Sequence, residues 1–193
     1  MPRGVAVPEA RQHLFAALER VMAADGALTS RNVTQEAGLA TGLLFTHFRS
    51  FDGFLTAYAV DRSFQIAAAL APLATTFGHG VVAENLTEAI LALPRASVLT
   101  VTRLTAFRPS LTAEVARVLG GESAGLNAIV HAVDRHLRAE QELGRVAAEA
   151  DTSSLALAVA GVLQHVALTD DGHAEERVRR ALTALAPALA ERP

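Results

Sequence analysis

The spacing of apolar residues is the feature that most limits the fold of this 193-residue chain. Alanine and leucine dominate the sequence, and apolar residues recur three and four positions apart. Runs that alternate β-branched and polar residues, as a half-buried strand would, are missing. Pro94, Pro109 and the Gly120-Gly121 pair interrupt the pattern and separate successive segments. The pattern therefore predicts an all-α protein of about nine helices.

Residues 37–48, "AGLATGLLFTHF", predict two helices joined by a tight turn. Thr29 is placed to cap a helix that runs to Ala37, and Gly38 suits the positive φ of a turn. A second, short helix then runs from Ala40 to about His47. Two helices joined in this way form a helix-turn-helix unit.

The short helix has two chemically different faces. Leu44 and Phe48 are four residues apart, so both point to the core. The opposite face is small and neutral enough to lie against base edges in DNA, and Leu43 is placed to meet a thymine methyl. Basic and hydroxyl side chains flank this face and suit phosphate contacts. The predicted DNA-binding residues are Thr29, Arg31, Asn32, Ala40, Thr41, Gly42, Leu43, Phe45, Thr46, His47, Arg49 and Ser50.

Residues 28–55 resemble the N-terminal signature of the TetR family of bacterial transcriptional regulators. The residues that agree with this signature are Thr29, Ala37, Gly38, Gly42, Leu44, His47, Phe48, Ser50 and Leu55, with Val33, Leu39 and Phe45 as near substitutions. The resemblance implies a DNA-binding domain over residues 1–50 and a ligand-binding and dimerisation domain over residues 51–193. It also implies a repressor that a small-molecule ligand releases from its operator.

The chain departs from the family pattern at four positions. The family usually has Tyr at Phe45 and Lys at Phe51, and a Lys is common at Thr41; all three usually serve phosphate contacts. Thr34 replaces a small alanine and is expected to loosen the packing of the two helices. These departures keep an alternative open, namely a ligand-binding or interaction protein on the same scaffold with weakened or lost DNA binding.

The segment 152–169, "TSSLALAVAGVLQHVALT", is apolar around nearly its whole circumference. Such a helix is buried on all sides, so it predicts a second chain against one side. Together with the last helix it predicts a four-helix interface between two copies, the alternative being a monomer core. The predicted interface residues are Leu155, Val159, Val162, Leu163, Val166, Val178, Leu182 and Leu185. A two-fold homodimer would read an inverted repeat in double-stranded DNA.

Residues 83–142 are expected to bind the small-molecule effector. Polar groups on helices that must pack suggest a cavity with a few hydrogen-bonding points. The alternative is that the threonines bond their own backbone and the phenylalanines belong to the core. The predicted ligand-binding residues are Phe64, Phe77, Thr102, Arg103, Phe107, Asn127 and His131.

Composition argues against several other classes of protein. The chain has no cysteine, which excludes thiolate catalysis and cysteine-bound zinc. None of the usual hydrolase, zinc-protease or phosphate-loop motifs occurs, so we expect no enzyme, no cofactor and no metal. The first twenty residues carry charges, and no apolar run approaches the roughly 20 residues of a membrane span. We therefore expect a cytoplasmic protein that does not enter a membrane.

Overall fold

The computed structural model describes residues 7–120, 125–169 and 172–188. Within these ranges the chain forms ten α-helices, two short 3-10 helices and no strand, so the predicted all-α class is confirmed. The α-helices are α1 (Val7–Ala23), α2 (Ser30–Glu36), α3 (Thr41–Phe48), α4 (Phe51–Leu70), α5 (Val82–Leu91), α6 (Arg95–Phe107), α7 (Pro109–Leu119), α8 (Leu126–Glu142), α9 (Thr152–Leu168) and α10 (Ala174–Leu185).

Most helix boundaries follow the prolines and glycines that interrupt the sequence pattern. Helix α4 ends at Leu70, and a 3-10 helix at Ala71–Thr75, which contains Pro72, follows it directly. From the sequence we also expect a long helix over about 123–142; its start lies outside the described residues, and α8 begins at Leu126. The last helix ends at Leu185 and is followed by the 3-10 helix Ala186–Ala188.

The chain divides into two compact units, Met1–Asp61 and Arg62–Pro193. The division falls inside α4, after Asp61 rather than after Ser50, where the sequence predicts the domain boundary. The reason is aromatic packing within the smaller unit. The ring of Phe15 in α1 lies 5.7 Å from the ring of Phe54 and 5.5 Å from that of Tyr58, so the first half of α4 completes the core of this unit.

The larger unit has an apolar core formed by the second half of α4, α5, α6, α8, α9 and α10. Helix α9 contributes Ala156, Val159, Leu163 and Val166, which are all buried. Taken one at a time, none of the described helices is both long and apolar enough to cross a membrane. Helices α5 and α6 pass that test of length and composition only as a pair, which is bent by 79°.

A buried charged cluster lies within the larger unit, on α8 and the loops beside it. The side chains of His136 and Glu140 are fully buried one helical turn apart, with His136 Nε2 3.9 Å from Glu140 Oε1. Arg145 Nε lies 3.2 Å from Glu140 Oε2, and the backbone N–H of Gly78 donates to Glu140 Oε1 at 3.1 Å. Glu140 therefore connects the loops that contain Gly78 and Arg145 to α8, by a charge-assisted hydrogen bond and an ion pair.

Candidate nucleic-acid interface

Helices α2 and α3 form the predicted helix-turn-helix unit. The hydroxyl of Thr29 accepts a hydrogen bond from the backbone N–H of Asn32 at 3.1 Å, which caps α2 as predicted. Gly38 has φ +64°, and a Cβ at this position would meet no atom within 4 Å. The backbone conformation, and not the lack of space, is therefore what requires glycine in the turn.

Helix α1 holds this unit in place at two points. The ring nitrogen Nε2 of His13 lies 2.8 Å from the carbonyl oxygen of Ala37, in the turn between α2 and α3. Arg20 Nε lies 2.6 Å from Glu36 Oε1 at the end of α2. The ion pair is largely exposed and contributes little to stability by itself, but both contacts join α1 to the end of α2.

Thr34 joins the two helices of the unit and does not loosen them. Its side chain is buried, and its hydroxyl lies 3.0 Å from the hydroxyl of Thr41 at the start of α3. It also lies 2.9 Å from the carbonyl oxygen of Ser30. The expected loosening was wrong, because the hydroxyl finds partners on both helices where an alanine would make no hydrogen bond.

The two faces of α3 are arranged as the sequence predicts. Leu44 is fully buried, and Phe48 packs in the aromatic core with its ring 5.1 Å from that of Phe54. Gly42, Phe45 and Thr46 are exposed on the other side, and Leu43 is half-buried beside them. We call these four residues the outer face of α3. It is apolar apart from one hydroxyl, and Phe45 is 42% exposed.

Two exposed arginines belong to the helix-turn-helix unit. Arg31 at the start of α2 and Arg49 at the end of α3 are both exposed, and neither side chain forms an ion pair or hydrogen bond with any described residue. Arg49 has φ +61°, which is unusual for a residue other than glycine. Cations without protein partners beside a neutral helix face suit contacts with phosphates.

The other predicted DNA-binding residues have mixed roles in the protein itself. Thr29, Ala40 and Ser50 are exposed, while Asn32 and His47 are half-buried. The amide nitrogen of Asn32 donates to the carbonyl oxygen of Ala27 at 2.9 Å. The Ser50 hydroxyl accepts from the Gly53 N–H at 2.9 Å and caps the start of α4. Their roles toward DNA remain a prediction.

Phe51 occupies a structural place where the family pattern has a lysine. Its ring stacks on Phe54 with centroids 5.8 Å apart and an angle of 22° between the planes. The same turn is close-packed, because a Cβ at Gly53 would lie 2.6 Å from the carbonyl oxygen of Phe48. This start of α4 thus extends the aromatic core and offers no side-chain cation.

Solved structures share this arrangement of helices. A protein from Rhodococcus sp., described as a TetR-family transcriptional regulator, superposes with a TM-score of 0.68 at 17% identity, over 94% of this chain and 98% of that chain. A transcriptional regulator from Rhodococcus sp. Rha1 gives a TM-score of 0.66 at 22% identity, over 93% and 95%. A TetR transcriptional regulator from Streptomyces coelicolor gives 0.59 at 17%, over 95% and 99%.

The chain has the TetR fold. No family model matches the sequence, and no curated protein matches it. At these identities the likeness concerns the fold, and the geometry of α3 has to support any statement about function.

In this TetR fold the predicted ligand-binding residues are dispersed. Four of them are exposed: Phe64 and Phe107, at 63% and 76%, together with Asn127 and His131. Phe77 is half-buried, with its ring 5.4 Å from that of His136. The remaining two are Thr102, which is buried, and Arg103, which is half-buried.

An apolar pocket of about 130 Å³ lies elsewhere, between the α5–α6 turn and the helices α9 and α10. We call it the α9–α10 pocket. Leu163, Val166 and Val178 line it, and so do the charged residues Arg95 and Glu175. None of the seven predicted ligand-binding residues belongs to its lining. The sequence gives little signal for this pocket, because its wall residues look like ordinary core positions.

The predicted dimer residues face the inside of their own unit. Val159, Leu163, Val166, Val178 and Leu182 are buried in its core, and Leu155, Val162 and Leu185 pack against that core. The residues of α9 that remain exposed lie on the opposite side, which we call the outer face of α9. They are Ser153, Ser154, Leu157, Ala158, Gly161, Gln164, His165 and Leu168. Sequence reasoning missed this face because apolar residues lie on both sides of α9, although the polar Ser153, Ser154, Gln164 and His165 all fall on the exposed side and could have marked it.

Proposed function

We propose that this protein is a DNA-binding transcriptional regulator that acts in the cytoplasm as a repressor. The observation that carries this proposal is the outer face of α3, a neutral helix surface in a helix-turn-helix unit whose exposed Arg31 and Arg49 pair with no described residue. An α-helix of this kind fits the major groove, where base edges lie, while the arginines meet phosphates on either side.

The regulator works as a homodimer that pairs through the outer face of α9. Leu157 is 64% exposed and Leu168 is 41% exposed, and both belong to this face. Gly161 lies between them, and a Cβ at that position would meet no atom within 4 Å, so a second helix has room to approach closely. Two-fold pairing presents two copies of α3 about one turn of DNA apart, roughly 34 Å, and favours an inverted-repeat operator.

The effector binds in the α9–α10 pocket. An apolar cavity of about 150 Å³ is large enough to hold a benzene-sized molecule and stays dry when empty. The α9–α10 pocket is of similar size, and its lining is largely aliphatic, with Arg95 and Glu175 as the charged residues. The ligand is therefore a small apolar ring or short aliphatic chain whose polar end meets these charges.

The position of this pocket connects ligand binding to release of the protein from DNA. Leu163 and Val166 line it from one side of α9, while the proposed dimer contact uses the other side. A ligand that binds one arrangement of α9 more tightly shifts the dimer toward that arrangement, and a changed separation of the two α3 helices lowers DNA affinity.

A ligand-binding protein without DNA binding is the second candidate. Phe45 lacks a hydroxyl, and Phe51 is stacked on Phe54, so two side chains that would add phosphate contacts are missing. Each phosphate contact that is lost lowers affinity and salt dependence together. This candidate predicts no retarded complex even at low salt.

An electrophoretic shift separates the two candidates. The protein is titrated into duplex DNA that flanks its own gene, and into a scrambled duplex of the same composition, at three salt concentrations. Our proposal predicts a retarded complex with the flanking DNA that weakens as salt rises. The rival is supported instead if both duplexes migrate freely at 50 mM salt.

The effector site has its own test. Toluene and hexanoate are titrated calorimetrically into the wild type and into Ala167→Phe, whose ring would occupy the pocket. Heat of binding from either compound is expected in the wild type and not in the variant. Equal heats in both proteins would place the ligand elsewhere.

A further inference from the structure

The side chains of α3 are unusual for a helix that reads DNA. Its sequence is "TGLLFTHF", with no arginine, lysine, asparagine or glutamine. Those four residue types make the bidentate hydrogen bonds that identify guanine and adenine in the major groove. If α3 reads base pairs, as the proposed function requires, it reads them without these contacts.

The hydroxyl groups of α3 are already engaged within the protein. Thr46 Oγ1 donates to the carbonyl oxygen of Gly42 at 3.0 Å. Thr41 Oγ1 lies 3.0 Å from Thr34 Oγ1, next to α2. His47 is half-buried, with its ring 6.2 Å from that of Phe48, and an imidazole edge offers one hydrogen bond in place of a bidentate pair. Hydrogen bonding therefore supplies little discrimination between base pairs.

The groups that remain are apolar. The outer face of α3 presents the methyl groups of Leu43, the ring of Phe45 and the methyl group of Thr46, and Gly42 adds no side chain that would hold them away from a groove. The one apolar feature of the major groove is the methyl group on C5 of thymine. A cytosine that is methylated at C5 presents the same group at the same place.

We infer that this protein selects its operator by contact with pyrimidine C5-methyl groups. This inference rests on the proposed function and names the chemistry of its DNA site. Leu43 and Phe45 are the specificity-determining residues, while Arg31 and Arg49 hold phosphates without regard to sequence. Each operator half-site accordingly places thymines opposite the outer face of α3.

The experiment starts from the wild-type protein and a pool of 30-base-pair duplexes with a random centre. Sequences are selected by repeated binding, and the winning duplex is resynthesised with deoxyuridine in place of thymidine at one symmetric pair of positions at a time. Deoxyuridine keeps every hydrogen-bonding group and lacks only the methyl group. A methyl-sized group buried from water contributes about 0.8 kcal/mol, which is roughly a fourfold change in affinity, or about 15-fold for a symmetric pair.

A rescue experiment checks that the methyl group itself is read. At a sensitive position the T·A pair is replaced by C·G and, separately, by 5-methyl-C·G. We expect the first change to weaken binding and the second to restore a large part of it. Equal binding of the two cytosine duplexes would overturn the inference.

Two variants identify the side chains that contact the methyl groups. Leu43→Ala and Phe45→Ala should each bind thymine and uracil duplexes with nearly equal affinity. Arg31→Gln is the matched control, which should weaken both duplexes and keep their ratio. Retention of the wild-type ratio in both alanine variants would show that other residues read the methyl groups and would overturn the assignment.

The outcomes keep the inference separate from the proposed function. If the selected duplex binds with unchanged affinity when deoxyuridine is placed at each position, recognition of methyl groups is contradicted and the DNA-binding proposal is not. A selection that enriches no sequence at low salt contradicts the DNA-binding proposal, and methyl reading falls with it.

Discussion

The outer faces of α3 and α9 are similar in chemistry and differ in what surrounds them. Both are short apolar surfaces on a helix whose other side is buried in the core of its unit. Both contain an exposed glycine, Gly42 or Gly161, at which a Cβ would meet no atom within 4 Å. Judged by apolar surface alone, the two faces would suit the same kind of partner.

The neighbouring charges distinguish them. Arg31 and Arg49 beside α3 form no ion pair with any described residue. On α10, the helix that packs beside α9, Arg179 pairs with Glu175 at 3.2 Å, and Arg180 pairs with Glu176 at 2.6 Å. Unpaired cations favour a polyanion, whereas internally paired charges let an apolar surface meet its own copy without net repulsion. We therefore expect the pairing of nearby charges, more than surface hydrophobicity, to decide which partner each face binds.

The largest expected effect comes from removing the unpaired charges. The double variant Arg31→Gln/Arg49→Gln takes four phosphate contacts from a dimer. At about 0.9 per contact, the slope of log affinity against log salt should fall by about 3.6, and affinity at 0.1 M salt should drop on the order of a thousandfold. Fluorescence anisotropy with the selected duplex, repeated over a salt series, measures both quantities.

A matched control separates position from net charge. Arg117→Gln/Arg135→Gln removes two exposed arginines from α7 and α8, so the protein charge changes equally. This control should keep the wild-type salt slope. If both double variants behaved alike, bulk charge would explain the binding and the comparison between the two faces would fail.

The second effect concerns the outer face of α9. Gly161→Arg should leave the fold of the protomer intact, because the new side chain projects into open space. In a dimer it would bury an unpaired guanidinium, which should weaken self-association on the order of a hundredfold or more. Sedimentation equilibrium measures the change, with Ala113→Arg on the exposed side of α7 as the control.

The outcome that contradicts this assignment is equally specific. A Gly161→Arg protein that dimerises as tightly as the wild type would show that α9 faces solvent in the assembly. Loss of dimer in the Ala113→Arg control would instead move the interface to α7.

The sequence predicted α3 better than α9 for a physical reason. At α3 only Leu44 and Phe48 are placed to pack inward, and Gly38 marks the turn, so local pattern determines which side faces out. At α9 both sides carry apolar residues, and the polar residues of the exposed side lie only near the two ends of the helix, so the choice between Val159 and Leu157 depends on where α8 and α6 pack. That packing joins residues far apart in the sequence, and no local periodicity encodes it.

The same reason explains the effector site. The predicted positions, such as Phe64 and Phe107, are large and aromatic, which favours a cavity wall when only composition is known. The structure exposes both, and the pocket forms where α5, α6, α9 and α10 meet. A cavity is a gap between elements, so its position follows from the tertiary arrangement and not from any one residue type.

A third test compares Gly42, which has open space around it, with Gly53, which is tightly packed. Gly53→Ala would place a Cβ 2.6 Å from the backbone oxygen of Phe48, and overpacking of this kind typically destabilises a fold by about 1–3 kcal/mol. Gly42→Ala has open space and an ordinary helical backbone, so it should stabilise α3 by about 0.5–1 kcal/mol. Urea unfolding followed by circular dichroism compares the two variants.

The pair also tests the role of the outer face of α3. Gly42→Ala should weaken binding to the selected duplex despite its stable fold, since the added methyl group projects toward the groove. Unchanged DNA affinity in Gly42→Ala would place this turn of α3 away from the duplex. A Gly53→Ala protein as stable as the wild type would show that α3 and α4 are less tightly joined than the geometry indicates.

The smallest effect concerns the buried cluster of His136, Glu140 and Arg145 in the larger unit. Burial lowers the pKa of His136 below its usual 6.5, although the Glu140 carboxylate opposes this shift and the Arg145 guanidinium adds to it. The unfolded chain therefore binds a proton at a higher pH than the folded chain. The contribution of His136 to the free energy of unfolding should be fully present above pH 6.5. It should decrease as the pH falls toward the lowered pKa, by at most about 1.4 kcal/mol per pH unit. His136→Leu should remove this slope in urea titrations between pH 7.5 and 5, whereas His131→Gln, exposed on the same helix, should retain it. A slope that survives His136→Leu would assign the proton to another group and would leave the cluster as packing alone.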